Sequence, residues 1–185
     1  MLRAGLIGFQ SVGKTTLFRL LTKSSDETPK NRKSETHIGI SKVPDQRLDF
    51  LTKLYRPRKH VPATVEFADL TAATRHGGKT TLNVAAFRAA DALLHVVRAF
   101  HDDTIAHPPG SIDPARDIQL MEDELILADL EVAERRLERI ARELKKGTSA
   151  ELSKEQNIIS YCRDTLEEGN PLRCLEFDRD DQRLM

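Results

Sequence analysis

Residues 8–15 constrain this chain more than any others, because they are Gly-Phe-Gln-Ser-Val-Gly-Lys-Thr and fit the phosphate-loop pattern G-x-x-x-x-G-K-[S/T]. Its two glycines allow backbone conformations that direct successive N–H groups at one anion. Lys14 can reach the outer phosphates, and Thr15 can offer its hydroxyl to magnesium. The motif therefore predicts a site for a nucleoside polyphosphate with Mg²⁺.

The residues on either side of the motif have the patterns that such a loop needs. Leu2–Ile7 is short, apolar and compatible with a strand, and residues 16–21 carry an apolar helical stripe. Strand, loop and helix in this order direct a helix N-terminus at the phosphates. An ordinary glycine-rich turn between a strand and a helix is the alternative. The predicted nucleotide-binding residues are Gly8, Phe9, Gln10, Ser11, Val12, Gly13, Lys14, Thr15 and Thr16.

Composition limits the classes of partner. The 185 residues suffice for one domain with a small subdomain, and 29 basic against 29 acidic residues give a net charge of +0. No overall field attracts nucleic acid or an anionic membrane, so no sequence-specific DNA binding is expected and such partners need a local patch. No signal peptide or membrane span is visible, which predicts a cytoplasmic protein. Cys162 and Cys174 lack metal-ligand spacing and are expected to be free thiols.

Strands alternate with helices along the first half of the chain. Residues 37–43 and 64–69 have strand patterns, and residues 92–100 are apolar and β-rich, as in a buried parallel strand. Pro44 and Asp45 predict the start of a helix that continues to about Tyr55. The pattern predicts a three-layer α/β domain with a mostly parallel sheet.

Loops and a helical hairpin complete the prediction. Residues 24–35 are polar and are predicted to form either a nucleotide switch or a solvated connection. Residues 56–62 are predicted to form a basic, proline-bounded loop, and residues 71–81 a mobile loop at the phosphate edge. Helices over residues 117–146 and 150–168 predict a coiled-coil-like hairpin, whose charges fit a solvated face. The predicted domains are a core over residues 1–112, a hairpin over 113–170 and a return segment over 171–185.

Asp69 is the candidate metal ligand besides Thr15. It ends the strand predicted over residues 64–69. A carboxylate at the carboxyl end of a core strand beside the phosphate loop can hold the magnesium shell, usually through water. The alternative is an aspartate that caps the next segment.

Several segments together resemble the Obg-like ATPase family, also called YchF. They are residues 5–21, 43–49 and 61–69, then 95–100 and 102–103, and residues 124–130 followed by 134–136. The likeness covers nearly the whole chain and implies a nucleotide hydrolase of the translation-factor class with a helical insertion. It also implies a preference for ATP in many members, and association with ribosomes.

The resemblance also assigns roles to two further residues. Members of the family place a hydrophobic residue where GTPases such as Ras carry the water-orienting glutamine, and by position this residue is Ala73. The family's proposed catalytic substitute is a histidine in a flexible loop, which matches His107 here, although an ordinary surface histidine fits the same pattern. With Lys14, His107 completes the predicted catalytic set.

The chain departs from the family pattern at several positions. Ser11 stands where members carry asparagine, Ala72 replaces the switch glycine, and Lys33 falls where a switch threonine belongs. No asparagine in the sequence begins the base-reading Asn-x-x-Glu motif, and the TGS domain is absent from it, so poor discrimination between ATP and GTP is expected. The predicted function is slow hydrolysis of ATP or GTP. The alternatives are a non-hydrolysing interaction module and, with less support, a small-molecule kinase.

Overall fold

The computed structural model describes residues 1–23, 36–70, 73–76, 79–82, 87, 89–107, 109–147, 149–178, 180–182 and 184. The chain divides into two compact units, Met1–Asp117 and Ile118–Met185. This division falls inside a helix that begins at Pro114, and the three domains predicted from the sequence stay predictions. The switch loop over residues 24–35 and Ala72 lie outside the described residues.

A four-stranded sheet organises the first unit. Its strands are β1 (Leu2–Ile7), β2 (Thr36–Lys42), β3 (Thr64–Leu70) and β6 (Ala92–His95), in the order β2-β3-β1-β6. β1 pairs in parallel with β3 and with β6, while β2 runs antiparallel to β3. The predicted mostly parallel α/β sheet is confirmed, and its parallel centre places the carboxyl ends of β1 and β3 at one edge.

Apolar strand residues and one helix form the core of this unit. The core contains Leu6 and Ile7 of β1 and Ala68 and Leu70 of β3, each of which is at most 4% exposed. Helix α1 (Lys14–Thr22) packs against β1, β2 and β3 and buries Phe18. The core thus fixes the end of β1 and the start of α1, between which the phosphate loop lies.

The last strand of the sheet is shorter and more exposed than the sequence predicts. A buried strand over residues 92–100 was expected, but β6 ends at His95, and Leu93 and Leu94 are 39% and 42% exposed. The expectation of a buried strand is therefore wrong. In the described sheet β6 pairs only with β1, so it lies at an edge and lacks the cover that central parallel strands receive.

A β-hairpin replaces the loop predicted over residues 71–81. Strands β4 (Ala73–His76) and β5 (Lys79–Leu82) pair antiparallel, so the prediction of a mobile loop is wrong for these residues. Thr74, Thr80 and Thr81 are β-branched and favour extended backbone, and the sequence between the strands is Gly77-Gly78, a dipeptide typical of tight hairpins.

Two further helices pack as an antiparallel hairpin in the second unit. Helix α3 (Pro114–Leu144) enters this unit at Ile118, and helix α4 (Ala150–Glu167) follows it. A 3₁₀ turn, Leu172–Cys174, comes next. The buried core consists of Ile126, Ala133, Ile140, Ile159 and Leu166, packed by Leu130, Leu137, Leu144 and Leu172. The predicted hairpin is confirmed, as are the free thiols, with Cys162 buried and Cys174 exposed.

Helix α2 (Gln46–Tyr55) begins where the sequence predicts. The Asp45 side chain accepts a hydrogen bond from the backbone N–H of Arg47 at 2.9 Å and caps the helix. No residue of α2 is buried, although its sequence contains four large apolar or aromatic side chains between Phe50 and Tyr55. Among the described residues, no helix is long and apolar enough to cross a bilayer.

Candidate functional site

The phosphate loop owes its shape to three residues in left-handed backbone conformations. Gly8 has φ 145° and Gly13 has φ 101°, whereas Ser11 adopts φ 64° without being glycine. A Cβ atom on Gly8 would lie 2.3 Å from the carbonyl oxygen of Val96, so only glycine fits there. The loop is therefore built between β1 and α1 by a close backbone approach as well as by φ values that glycine tolerates.

Lys14 lies at the first turn of α1 with its ammonium group folded over the loop. Its Nζ donates hydrogen bonds to the carbonyl oxygens of Gly8 at 2.9 Å and Phe9 at 2.6 Å. Burial lowers the pKa of Lys14 below its ordinary value, and the nearby negative charge of Asp69 opposes that shift in part. The loop thus holds a partly desolvated cation, whose charge Asp69 compensates in part.

Thr15 and Asp69 meet at the same edge of the sheet. The Thr15 hydroxyl donates to Asp69 Oδ2 at 2.7 Å. Asp69 is 6% exposed and pairs with Leu6 of β1 in the sheet. A hydroxyl and a carboxylate are hard oxygen donors, and Mg²⁺ takes one or two such protein ligands plus phosphate oxygens and water. The pair fits Mg²⁺, while no group of three or more His, Cys, Asp or Glu among the described residues could hold a metal.

These residues line a cavity of about 470 Å³, a size that is typical of small-molecule sites. Of the predicted site residues, those on its wall are Gln10, Ser11, Gly13, Lys14, Thr15, Thr16 and Asp69. Phe9 and Val12 are 2% and 4% exposed, so they belong to the core. These two can offer a ligand only backbone groups.

Three residues of the cavity wall were missed by sequence reasoning: His37, Phe100 and Ile105. His37 reaches the site because β2 runs antiparallel to β3 and pairs His37 with Asp69. A strand pattern does not reveal which neighbour a strand selects, so no sequence signal placed His37 beside the carboxylate. The sequence predicts Phe100 as the last residue of a buried strand, whereas the strand ends at His95, and Ile105 lies in a loop without a periodic pattern.

Arg98 gives this loop its shape from inside. Its side chain is buried and donates to the carbonyl oxygens of Phe100 at 3.2 Å, Asp102 at 3.0 Å and Ile105 at 3.0 Å. Its guanidinium carbon also lies 4.8 Å from the centroid of the Phe100 ring. One buried arginine thereby satisfies three loop carbonyls and fixes the two apolar residues of the cavity wall.

His107 lies away from the described wall of the cavity. Its side chain is 2% exposed, and its Nε2 lies 2.6 Å from Oδ2 of the equally buried Asp117. Asp117 Oδ1 in turn accepts from Arg116 Nη2 at 2.9 Å. The interpretation of His107 as an ordinary surface histidine is therefore wrong. Its catalytic role stays a prediction.

Comparison with known proteins agrees with this geometry. No protein-family profile matches the chain. The ribosome-binding ATPase YchF of Bacillus subtilis is 37% identical over 190 residues, which cover 100% of this chain and 52% of that protein. Obg-like ATPase 1 of Oryza sativa subsp. indica is 32% identical over 179 residues, covering 93% of this chain and 45% of that protein.

A solved structure supports the same relationship. The YchF GTPase of Schizosaccharomyces pombe superposes with a TM-score of 0.78 at 32% identity, over 99% of this chain and 52% of that one. The chain matches the N-terminal half of YchF. The predicted resemblance is thus confirmed in sequence and in fold, and the chain spans about half the length of the YchF proteins that it matches.

Proposed function

We propose that the chain binds ATP or GTP with Mg²⁺ in the cavity beside the phosphate loop and hydrolyses the nucleotide slowly. One observation carries the proposal: Lys14 and the Thr15–Asp69 pair face one cavity at the N-terminus of α1. A cation, an oxygen pair suited to Mg²⁺ and a helix N-terminus are the three elements that a polyphosphate tail requires.

Each residue has a defined task in this site. Lys14 exchanges its hydrogen bonds to the Gly8 and Phe9 carbonyls for phosphate oxygens, which compensate its desolvated charge. Thr15 and Asp69 give up their mutual hydrogen bond to hold Mg²⁺ directly or through water. Mg²⁺ supplies positive charge at the outer phosphates, and the loop N–H groups hold the remaining oxygens.

Slow turnover follows from the groups that would position the attacking water. Ala73 stands at the position of the water-orienting glutamine and has no polar side chain to offer. His107, the candidate substitute, is held by Asp117 in the described conformation. Catalysis in this class depends on positioning and charge stabilisation, so weak water positioning lowers kcat more than it lowers affinity.

A ribosome partner and a cytoplasmic location complete the proposal. The Bacillus subtilis and Escherichia coli O157:H7 relatives are named ribosome-binding ATPases, the latter at 33% identity over 186 residues. This chain spans about half of each, so its own association with ribosomes is a proposal separate from nucleotide binding.

Calorimetry and phosphate release test the site. We expect the parent to bind Mg²⁺-ATP or Mg²⁺-GTP with saturation and to release phosphate. Lys14→Ala should lose both nucleotide binding and phosphate release. Lys42→Ala removes one exposed lysine of β2 and should behave as the parent. Equal phosphate release by the parent and Lys14→Ala refutes hydrolysis at this site. Saturable binding without release supports a non-hydrolysing interaction module instead.

A further inference from the structure

A cluster of basic residues spans the last turn of helix α2 and the loop after it, outside the nucleotide cavity. Within seven residues the chain places four exposed cations: Lys53, Arg56, Arg58 and Lys59. Among the described residues, none of these side chains forms a hydrogen bond or an ion pair. Because the whole chain has a net charge of +0, this cluster is a local departure from an otherwise balanced surface.

The loop that carries these cations is folded back onto α2. The backbone N–H of Arg56 donates to the Thr52 carbonyl at 3.0 Å, with Arg56 in a left-handed conformation at φ 46°. The Thr52 hydroxyl donates to the Leu48 carbonyl at 2.8 Å, and its oxygen lies 2.7 Å from Nδ1 of His60 in a second hydrogen bond. These bonds keep the cations of the loop near the end of the helix.

Within this fully described segment, the acidic groups form no ion pair with the four cations. Asp45 caps α2 and pairs with Arg47 Nε at 3.1 Å, and the hydrogen bonds from Arg47 hold the pKa of Asp45 below its ordinary value. Asp49 lies 3.8 Å from Nε2 of His60. No carboxylate of this segment therefore neutralises the four cations, and the surface is complementary to an anionic partner.

An exposed aromatic ring lies among the cations. Tyr55 is 74% exposed and directly precedes Arg56. Phe50 and Leu54 of the same helix are 65% and 59% exposed. An aromatic ring between cations suits single-stranded nucleic acid, in which phosphates meet the cations and an unstacked base lies on the ring. A purely acidic protein surface would use the cations but not Tyr55.

We propose that Lys53, Tyr55, Arg56, Arg58 and Lys59, here termed the basic patch, bind single-stranded RNA. The cations contact its phosphates and Tyr55 stacks on a base. The inference gives the proposed ribosome association a contact surface, and it rests on that association only for the source of the RNA.

Fluorescence anisotropy with a labelled oligouridylate of about 12 nucleotides tests the patch. The triple variant Arg56→Gln, Arg58→Gln, Lys59→Gln should weaken binding at least about tenfold at low salt and reduce the slope of log K against log salt by about 2. The control variant Arg139→Gln, Lys145→Gln, Lys146→Gln removes three exposed cations from the second unit and should bind as the parent does.

The role of stacking is tested at one residue. Tyr55→Leu should weaken binding about three- to tenfold without changing the salt slope, and Tyr55→Phe should restore it, because a phenyl ring still stacks. Circular dichroism confirms that each variant is folded. Lys14→Ala should bind the RNA as the parent does, so failure of the nucleotide proposal and failure of this one are separate results.

Four outcomes would overturn the proposal. The first is the absence of saturable RNA binding by the parent at about 50 mM salt. The two triple variants can lose affinity equally, which indicates nonspecific charge. A polyglutamate peptide can displace the RNA as well as unlabelled oligouridylate does, which indicates an acidic protein partner. An RNA duplex can bind more tightly than the single strand and without dependence on Tyr55, which excludes base stacking.

Discussion

The two glycines of the phosphate loop both have positive φ, but they differ in how much space surrounds a Cβ atom at their position. At Gly8 a Cβ atom would meet the Val96 carbonyl oxygen at 2.3 Å, whereas at Gly13 a Cβ atom would meet nothing within 4 Å. Gly8→Ala should therefore lower the free energy of unfolding by about 2–5 kcal/mol, from strain and overlap together. Gly13→Ala should cost about 1–2 kcal/mol, from φ alone. Urea denaturation measures both, and equal losses would contradict the argument.

The lowered pKa of Lys14 predicts that the protein takes up a proton when it binds the nucleotide. Burial lowers the pKa of the free protein's Lys14 from 10.5, and bound phosphates raise it again because they favour the ammonium form. Between the two pKa values Lys14 is neutral in the free protein and charged in the complex. Nucleotide binding therefore takes up a proton, and the affinity falls as the pH rises.

Calorimetry in two buffers with different ionisation enthalpies measures this proton uptake. We expect this uptake to grow as the pH rises toward the lowered pKa of the free protein's Lys14, where the free side chain begins to lose its proton. Lys14→Arg stays charged throughout and should show no such uptake from this position. If the variant takes up as many protons as the parent, another group is responsible.

At the level of elements, the sequence predicted those whose pattern is local and periodic. The order β1, loop, α1 follows from residues adjacent in sequence, and the hairpin follows from apolar spacing that is repeated over several turns. The exposed edge strand β6 and the position of His37 beside Asp69 depend on which strands pair, and no local pattern contains that information. The loop around Arg98 depends on one buried side chain that reaches three carbonyls.

The hairpin core offers a matched pair of substitutions on one helix. Ile140 is 0% exposed within the core of α3 and α4, whereas Leu127 on the same helix is 59% exposed. Ile140→Ala should lower the free energy of unfolding by about 2–5 kcal/mol, because it removes buried methyl groups and leaves a cavity. Leu127→Ala should change it by less than about 0.5 kcal/mol. Comparable losses in urea denaturation would show that Leu127 is covered in solution.

At the scale of the whole molecule, the predicted site and the hairpin core belong to different compact units. The site residues from Gly8 to Asp69 lie in the first unit, and the hairpin core from Ile126 to Leu172 lies in the second. A ligand stabilises only against openings that break its own site. Nucleotide binding should therefore stabilise the first unit against opening and leave the stability of the second unit unchanged.

Hydrogen exchange with mass spectrometry makes that separation visible. At nucleotide concentrations of about 100 Kd, binding stabilises the folded site by about 2.7 kcal/mol, and exchange of the amides in β1 and β3 should slow accordingly. Amides of α4 should keep their rates, since opening this helix does not release the ligand. Lys14→Ala should show no slowing in either place. Equal slowing in β1 and α4 would mean that the two units open together, and the site would then report on the stability of the whole chain.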